Sequence, residues 1–321
     1  MPEQMPNWTK KFGYGEFIHL EHRNCQACMM KGEKVFRVVE DNSFKPVARL
    51  KDMEETKVDK QVLSTIPVLF NYWSKPQDGL ETARFFNDHI AETTAQHPAQ
   101  FIGIGTVPLQ DVSRSIKEME RCVRELKMPG LEIGTNVNGK NLGEETFLPF
   151  FEAAEKLNCA LFIHPWEMMG EEQTQKYWLP WLVGMPAETT RAICSIIFGG
   201  VLEKFPTLRI AFAHGGGSFP YTLGRIEHGF NVRPDLVAID NQVAPSKYLG
   251  KFWVDSLVHD PNVFHFLMNV MGVDKICLGS DYPFPLGEHV PGELIEQLKL
   301  EKGISEKLLY RNALEWLRLG D

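Results

Sequence analysis

His164, His214 and Asp281 each end a short apolar run that a chain-breaker terminates. The runs are Cys159-Ala-Leu-Phe-Ile-His164-Pro165, Arg209-Ile-Ala-Phe-Ala-His214-Gly215 and Lys275-Ile-Cys-Leu-Gly-Ser-Asp281-Tyr282-Pro283. A continuous apolar run of this length reads as a strand buried on both faces. Proline drives the residue before it toward extended backbone, which puts His164 at the carboxyl end of its strand. Two imidazoles and a carboxylate at such strand ends converge on the face where parallel barrels carry their chemistry. Imidazole nitrogen and carboxylate oxygen are donors that a Zn²⁺ ion takes at about 2.0–2.2 Å, leaving a position for water whose pKa falls to about 7. The set therefore offers metal ligands and a general base. Spacing alone does not say which histidine takes which role. The competing explanation is that each is a polar residue closing a core strand.

Other residues invite chemistry less strongly. His19, His22, Cys25 and Cys28 form a His-x₂-His-x₂-Cys-x₂-Cys run. Structural zinc sites separate their ligand pairs by a longer loop so that the donors can wrap a tetrahedron, so this run reads as a polar edge with incidental thiols. Arg37 is the single cation inside the apolar Lys34-Val-Phe-Arg37-Val-Val39. Its planar fork suits a carboxylate, although an arginine snorkelling off an edge strand accounts for it equally well. Arg225 falls on the helix after the His214 strand, where a surface salt bridge near Glu227 is the default. The aromatic block 176–186, containing Trp178 and Trp181, comes after His164 in a long loop and either walls a pocket or packs in the core. His259 reaches the same face as a supporting residue.

The elements that must position these groups form a repeat of strand then helix. Strands are expected at 61–67, 101–108, 130–135, 159–164, 209–214, 251–256 and 275–281. The clearest helix spans 111–127, capped by Asp111, with Val112, Ile116, Met119, Val123 and Leu126 inward and Glu120 paired to Arg124. This alternation predicts a parallel sheet and a TIM-type (β/α)₈ barrel. Only seven strands are found where a closed barrel has eight, and the missing one should be the first. Residues 1–11 carry Pro2 and Pro6 and make a poor buried strand. Ahead of the repeat, 17–20 and 34–39 read as strands with a turn at 31–34, and 48–55 as a helix. The expected division is a small antiparallel β flap, 1–43, and a barrel catalytic domain, 44–321.

Composition bounds the setting. A net charge of −8 without a basic stretch argues against a nucleic-acid surface, so an anionic substrate needs locally placed cations. No apolar run is long enough to span a bilayer, and the start lacks the basic and apolar regions of a secretory leader. Cys122, Cys159, Cys194 and Cys277 lie inside expected helices and strands, which fits a reducing compartment and a cytosolic protein.

Longer stretches carry a resemblance that runs from Phe12 to Leu317: 34–39, 177–190, 213–217, 258–261 and 281–288. The sequence resembles the α-amino-β-carboxymuconate-ε-semialdehyde decarboxylase family of the amidohydrolase superfamily. The resemblance implies zinc held by His164 and Asp281, with His214 as base. Lys31 and Arg37 match the groups that bind the substrate's carboxylates, and Arg225 one that reaches in from the partner of a homodimer. Trp181 and Phe284 match positions that wall the pocket. The implied reaction is loss of CO₂ from a dicarboxylate semialdehyde of tryptophan–kynurenine catabolism, which limits formation of quinolinate.

One departure stands out. The family opens with a strand ending in His-x-His that supplies two further zinc ligands, and no His-x-His occurs here. That piece, about one strand long, is the same strand the barrel count lacks. The expectation is a truncated form or misassigned start, holding zinc weakly and turning over poorly. Two other classes stay open: a metal-dependent hydrolase on the same barrel, and a weakly active chain that dimerises with full-length subunits and modulates them.

Overall fold

In a computed structural model, residues 1–23 and 26–320 are described. The chain forms two compact units, Met1–Glu132 and Ile133–Asp321. In the first, strands Ile18–Arg23, Gln26–Lys31 and Lys34–Glu40 make an antiparallel flap. Its middle strand was not expected from the sequence, where the cysteine spacing drew attention instead. Ala27, Cys28, Met29 and Met30 of that strand are all buried, so both of its faces are covered. Cys25 of the His/Cys run lies outside the described residues. His22 packs its ring on Phe44, with centroids 5.1 Å apart, and bonds the carbonyl of Glu3 at 2.5 Å. The first unit also holds the parallel pair Gln61–Leu63 and Phe101–Gly103 and helices Pro46–Thr56 and Pro76–Gln96.

The second unit is built on a five-stranded sheet. Its order is Ile276–Cys277, Trp253–Asp255, Ile210–Phe212, Ala160–His164 and Gly130–Gly134, the last being the strand in which the division between units falls. The four from Ala160–His164 to Ile276–Cys277 pair in parallel. Leu161, Ile163, Ile210, Phe212, Val254 and Ile276 are buried on one face of the sheet, and Ala160, Ala211, Trp253 and Cys277 on the other. Each such side chain contributes roughly 1.5–3 kcal/mol through burial. Strands alternating with helices make this the TIM-type α/β fold. The seven expected strands are all present but shorter than their apolar runs. Among the described residues no strand closes them into a ring, and Gln61–Leu63 and Ile276–Cys277 each end a sheet. No helix of the described residues is long and apolar enough to cross a membrane.

The helix expected at 111–127 spans Val112–Arg124, and Asp111 caps it by accepting from the Arg114 amide at 2.9 Å. Its buried face is rotated from the expected one. Ser115, Glu118, Met119 and Cys122 point inward, and only Met119 was anticipated. The cause is Glu118, a fully buried carboxylate that apolar periodicity cannot register. It accepts from Asn87 Nδ2 at 2.8 Å, Arg84 Nε at 2.9 Å and Arg121 Nη2 at 2.7 Å. The expected Glu120–Arg124 pair is not formed among the described residues. Glu118→Ala should cost about 2–3 kcal/mol by stranding these donors, while Glu120→Ala should stay within about 0.5 kcal/mol. Urea unfolding of both variants checks this; equal losses would contradict it.

Candidate active site

Residues after each parallel strand emerge from the same edge of the sheet. Phe212 lies opposite Ile163 on one side and Val254 on the other, and Asp255 lies opposite Cys277. His164 ends its own strand, while Asp281 lies four residues beyond Ile276–Cys277. The three sequence candidates meet there. One ligand atom from each of His164, His214 and Asp281 lies within 4.8 Å of the others. His164 Nε2 stands 3.8 Å from Asp281 Oδ1, and the two imidazoles meet edge to face with centroids 4.9 Å apart. This is the single such cluster among the described residues; no group containing His19, His22 or Cys28 forms one.

Local backbone aims the side chains. His164 Nδ1 lies 3.1 Å from the carbonyl of Pro165. A carbonyl only accepts, so the ring proton sits on Nδ1 and the lone pair on Nε2, the atom facing Asp281. His214 has φ +57° and Asp281 φ +50°, left-handed values that cost a residue with a side chain of order 1 kcal/mol or more and that cluster at functional sites. The run Gly215-Gly216-Gly217 continues the left-handed turn after His214, all three with positive φ. Asp281 is fixed within its own loop: its carbonyl accepts from the Phe284 amide at 2.9 Å.

Electrostatics suit the chemistry. Part of His214 reaches solvent, yet desolvation, followed by the His164 ring, pushes its pKa down to about 4, so it is neutral near pH 7. Burial pushes the Asp255 carboxyl up to about 6 against the pull of the Gly215, His214 and Leu257 amides. Burial also pushes the thiols of Cys159 and Cys194 up to about 12, and Cys277 further still. These cysteines are packing residues rather than nucleophiles.

The other sequence candidates lie on the following elements. Lys31 and Arg37 belong to the flap in the first unit, where Lys31 is exposed and Arg37 half-buried. Trp181 lies in a π-helical turn, Pro180–Gly184, tilted against Trp178 at 6.0 Å. Arg225 is exposed on helix Phe219–Val232 and has no ion pair among the described residues. The expected salt bridge is absent because Glu227 instead accepts from the Ser246 amide at 2.9 Å and its hydroxyl at 3.1 Å. His259 is exposed, also left-handed at φ +58°, and its charge bears on His214.

Two carboxylates were missed. Glu188 is fully buried and pairs with Arg191; it accepts from Asn136 Nδ2 at 3.0 Å and from the Met169 amide at 3.1 Å. Asn136 Nδ2 also reaches the Trp166 carbonyl at 3.1 Å, so the pair pins both sides of the loop after His164. Asp255 ends the strand beside that of His214. A carboxylate closing an apolar run, as at Asp281, was the signal available for it.

The donor set fits a divalent ion. Two ligands of one ion can stand about 4.2 Å apart at most, and the His164–Asp281 pair already does so at 3.8 Å. Two nitrogens with an oxygen suit zinc, manganese or iron.

Comparison with known proteins identifies the family. The amidohydrolase family model matches residues 17–319. The 2-amino-3-carboxymuconate-6-semialdehyde decarboxylase of Dictyostelium discoideum is 54% identical over 99% of this chain and 89% of its own length. That of Caenorhabditis elegans is 39% identical, covering 100% of this chain and 93% of its own. Among solved structures, the 5-carboxyvanillate decarboxylase of Novosphingobium aromaticivorans, complexed with manganese and a nitrobenzoic acid, superposes with a TM-score of 0.79. It is 27% identical, covering 85% of this chain and 80% of that one. With a family model matching nearly the whole chain and relatives of 54% and 39% identity, the chain belongs to the 2-amino-3-carboxymuconate-6-semialdehyde decarboxylase branch of the amidohydrolase family.

Proposed function

We propose that the chain catalyses the metal-dependent, non-oxidative decarboxylation of 2-amino-3-carboxymuconate 6-semialdehyde, the substrate in the names of its Dictyostelium and Caenorhabditis relatives. The observation that carries this reading is the meeting of His164, His214 and Asp281 within 4.8 Å in a chain so close to such a decarboxylase. His164 and Asp281 would hold the divalent ion, with zinc the expected metal. Once bound, that ion supplies Lewis acidity, polarising a substrate oxygen or lowering the pKa of water.

His214, neutral near pH 7, takes a proton as water adds to a carbon–carbon double bond of the substrate. It returns that proton to the neighbouring, carboxylate-bearing carbon. As the bond to CO₂ then breaks, its electron pair re-forms the double bond and expels the added hydroxide, which regains a proton as water, so the reaction stays redox-neutral. Lys31 and Arg37 pair with the substrate's carboxylates, and Trp181 and Phe284 wall the pocket, as the family pattern assigns them. The flap, 1–43, acts as a module apart from the catalytic 44–321. The enzyme works in the cytosol on an intermediate of tryptophan catabolism that otherwise closes to quinolinate.

The active form is a homodimer in which Arg225 serves the partner's site. Its exposure without an ion pair among the described residues, on a helix that also exposes Tyr221, His228 and Val232, supports this.

His214→Asn should lower the rate of CO₂ release by about 10²- to 10⁴-fold while keeping the metal. His164→Ala and Asp281→Ala should lower the divalent metal measured per chain. Unchanged turnover in the first, or hydrolysis without CO₂ release in the native chain, would contradict the reading. Arg37→Ala should raise KM about 10-fold or more with a smaller change in kcat; the reverse split would remove Arg37 from substrate binding. Sedimentation should give twice the 36.6 kDa of one chain, and a monomer at full activity would end the dimer proposal.

A further inference from the structure

His214 is held from behind by a buried carboxylate that is not one of the clustered donors. Asp255, buried at the end of Trp253–Asp255, accepts three backbone amides. Its Oδ2 takes the His214 N–H at 2.8 Å, and its Oδ1 takes those of Gly215 at 2.8 Å and Leu257 at 3.1 Å. The two amides from the His214 turn belong to residues at φ +57° and +61°, so one carboxylate spans a left-handed corner that a histidine rarely adopts. The neighbouring strand is shaped to admit it. A Cβ on Gly279 would lie 2.6 Å from the Asp255 Cβ, so any side chain there would displace the carboxylate. Asp255 is not among the residues whose donor atoms gather in the cluster. Both of its oxygens are engaged with the main chain.

We propose that Asp255 is the positioning residue of the site: its carboxylate fixes the His214 main chain in the left-handed turn and thereby sets the direction of the imidazole. The role rests on the reading of His214 as the base. It demands two acceptor oxygens, because a single one cannot serve amides on both sides of the carboxylate. In Asp255→Asn the volume is kept, but one oxygen becomes an NH₂ that faces an amide N–H, donor against donor. The turn then loses at least one tether while the strand beneath it stays paired.

The test combines two measurements on the full, metal-loaded chain. In Asp255→Asn, hydrogen exchange at the His214 and Gly215 amides should accelerate about 10-fold or more, while Ile210–Phe212 stays protected. Kcat should fall about 10²-fold with KM within about 3-fold and metal content unchanged, since a misplacement of about 1 Å costs that much. Wild-type kcat in a folded Asp255→Asn chain would overturn the proposal, as would a loss confined to thermal stability. Should the variant fail to fold, exchange in the native chain decides: unprotected His214 and Gly215 amides refute the clamp. His214→Asn at full turnover would instead sink the reading of His214 itself, leaving the clamp's exchange signature intact.

Discussion

The parallel pairing of four short, doubly buried strands is the constraint on which the site depends. In a parallel ladder the register fixes which residues leave the sheet together, and here Ile163, Phe212, Val254 and Cys277 stand near one edge. The residues just C-terminal to them are therefore brought to one place whatever the intervening helices do. His164, His214, Asp255 and Asp281 all lie within a few positions of that edge. Burial drives the arrangement, because Leu161, Ile163, Ile210, Phe212 and Val254 leave water only when the strands lie side by side.

Leaving the edge and aiming a side chain back at the axis requires unusual backbone. His214, His259 and Asp281 all adopt positive φ, an arrangement kept only where the surroundings over-determine it. The surroundings are polar groups holding the main chain: Asp255 under the His214 turn, and Glu188 with Asn136 under the loop after His164. Hydrogen bonds with a charged acceptor are roughly twice as strong as neutral ones, and burial keeps water from competing for them. The loops that carry His164 and His214 are thus held by carboxylates outside the cluster. Lowering the His214 pKa is a by-product of the same packing, since an imidazole crowded by His164 and shielded from water resists protonation.

Much of this was legible in the sequence. Apolar runs ending in His164, His214 and Asp281 located the cluster, and the strand–helix alternation indicated the fold class. Strand ends were over-extended because apolar character continues past the last ladder bond: Leu278 prolongs the run beyond Cys277 although no strand does. The flap's middle strand hid behind cysteine spacing, and the buried face of Val112–Arg124 hid behind Glu118, a residue that periodicity counts as outward. Asp255 and Glu188 were passed over for a related reason. Asp255, held by backbone amides, leaves no pairing pattern in sequence, because any residue but proline can donate an N–H, and Glu188 takes its Asn136 and Met169 partners from distant positions that spacing does not link.

The central claim is that His164 and Asp281 share one divalent ion at the strand ends beside His214. Anomalous diffraction from crystals grown with manganese tests it without reference to turnover. One strong peak is expected within about 2.3 Å of His164 Nε2 and of an Asp281 oxygen. A peak at another group of residues, or none at saturating manganese, would contradict it.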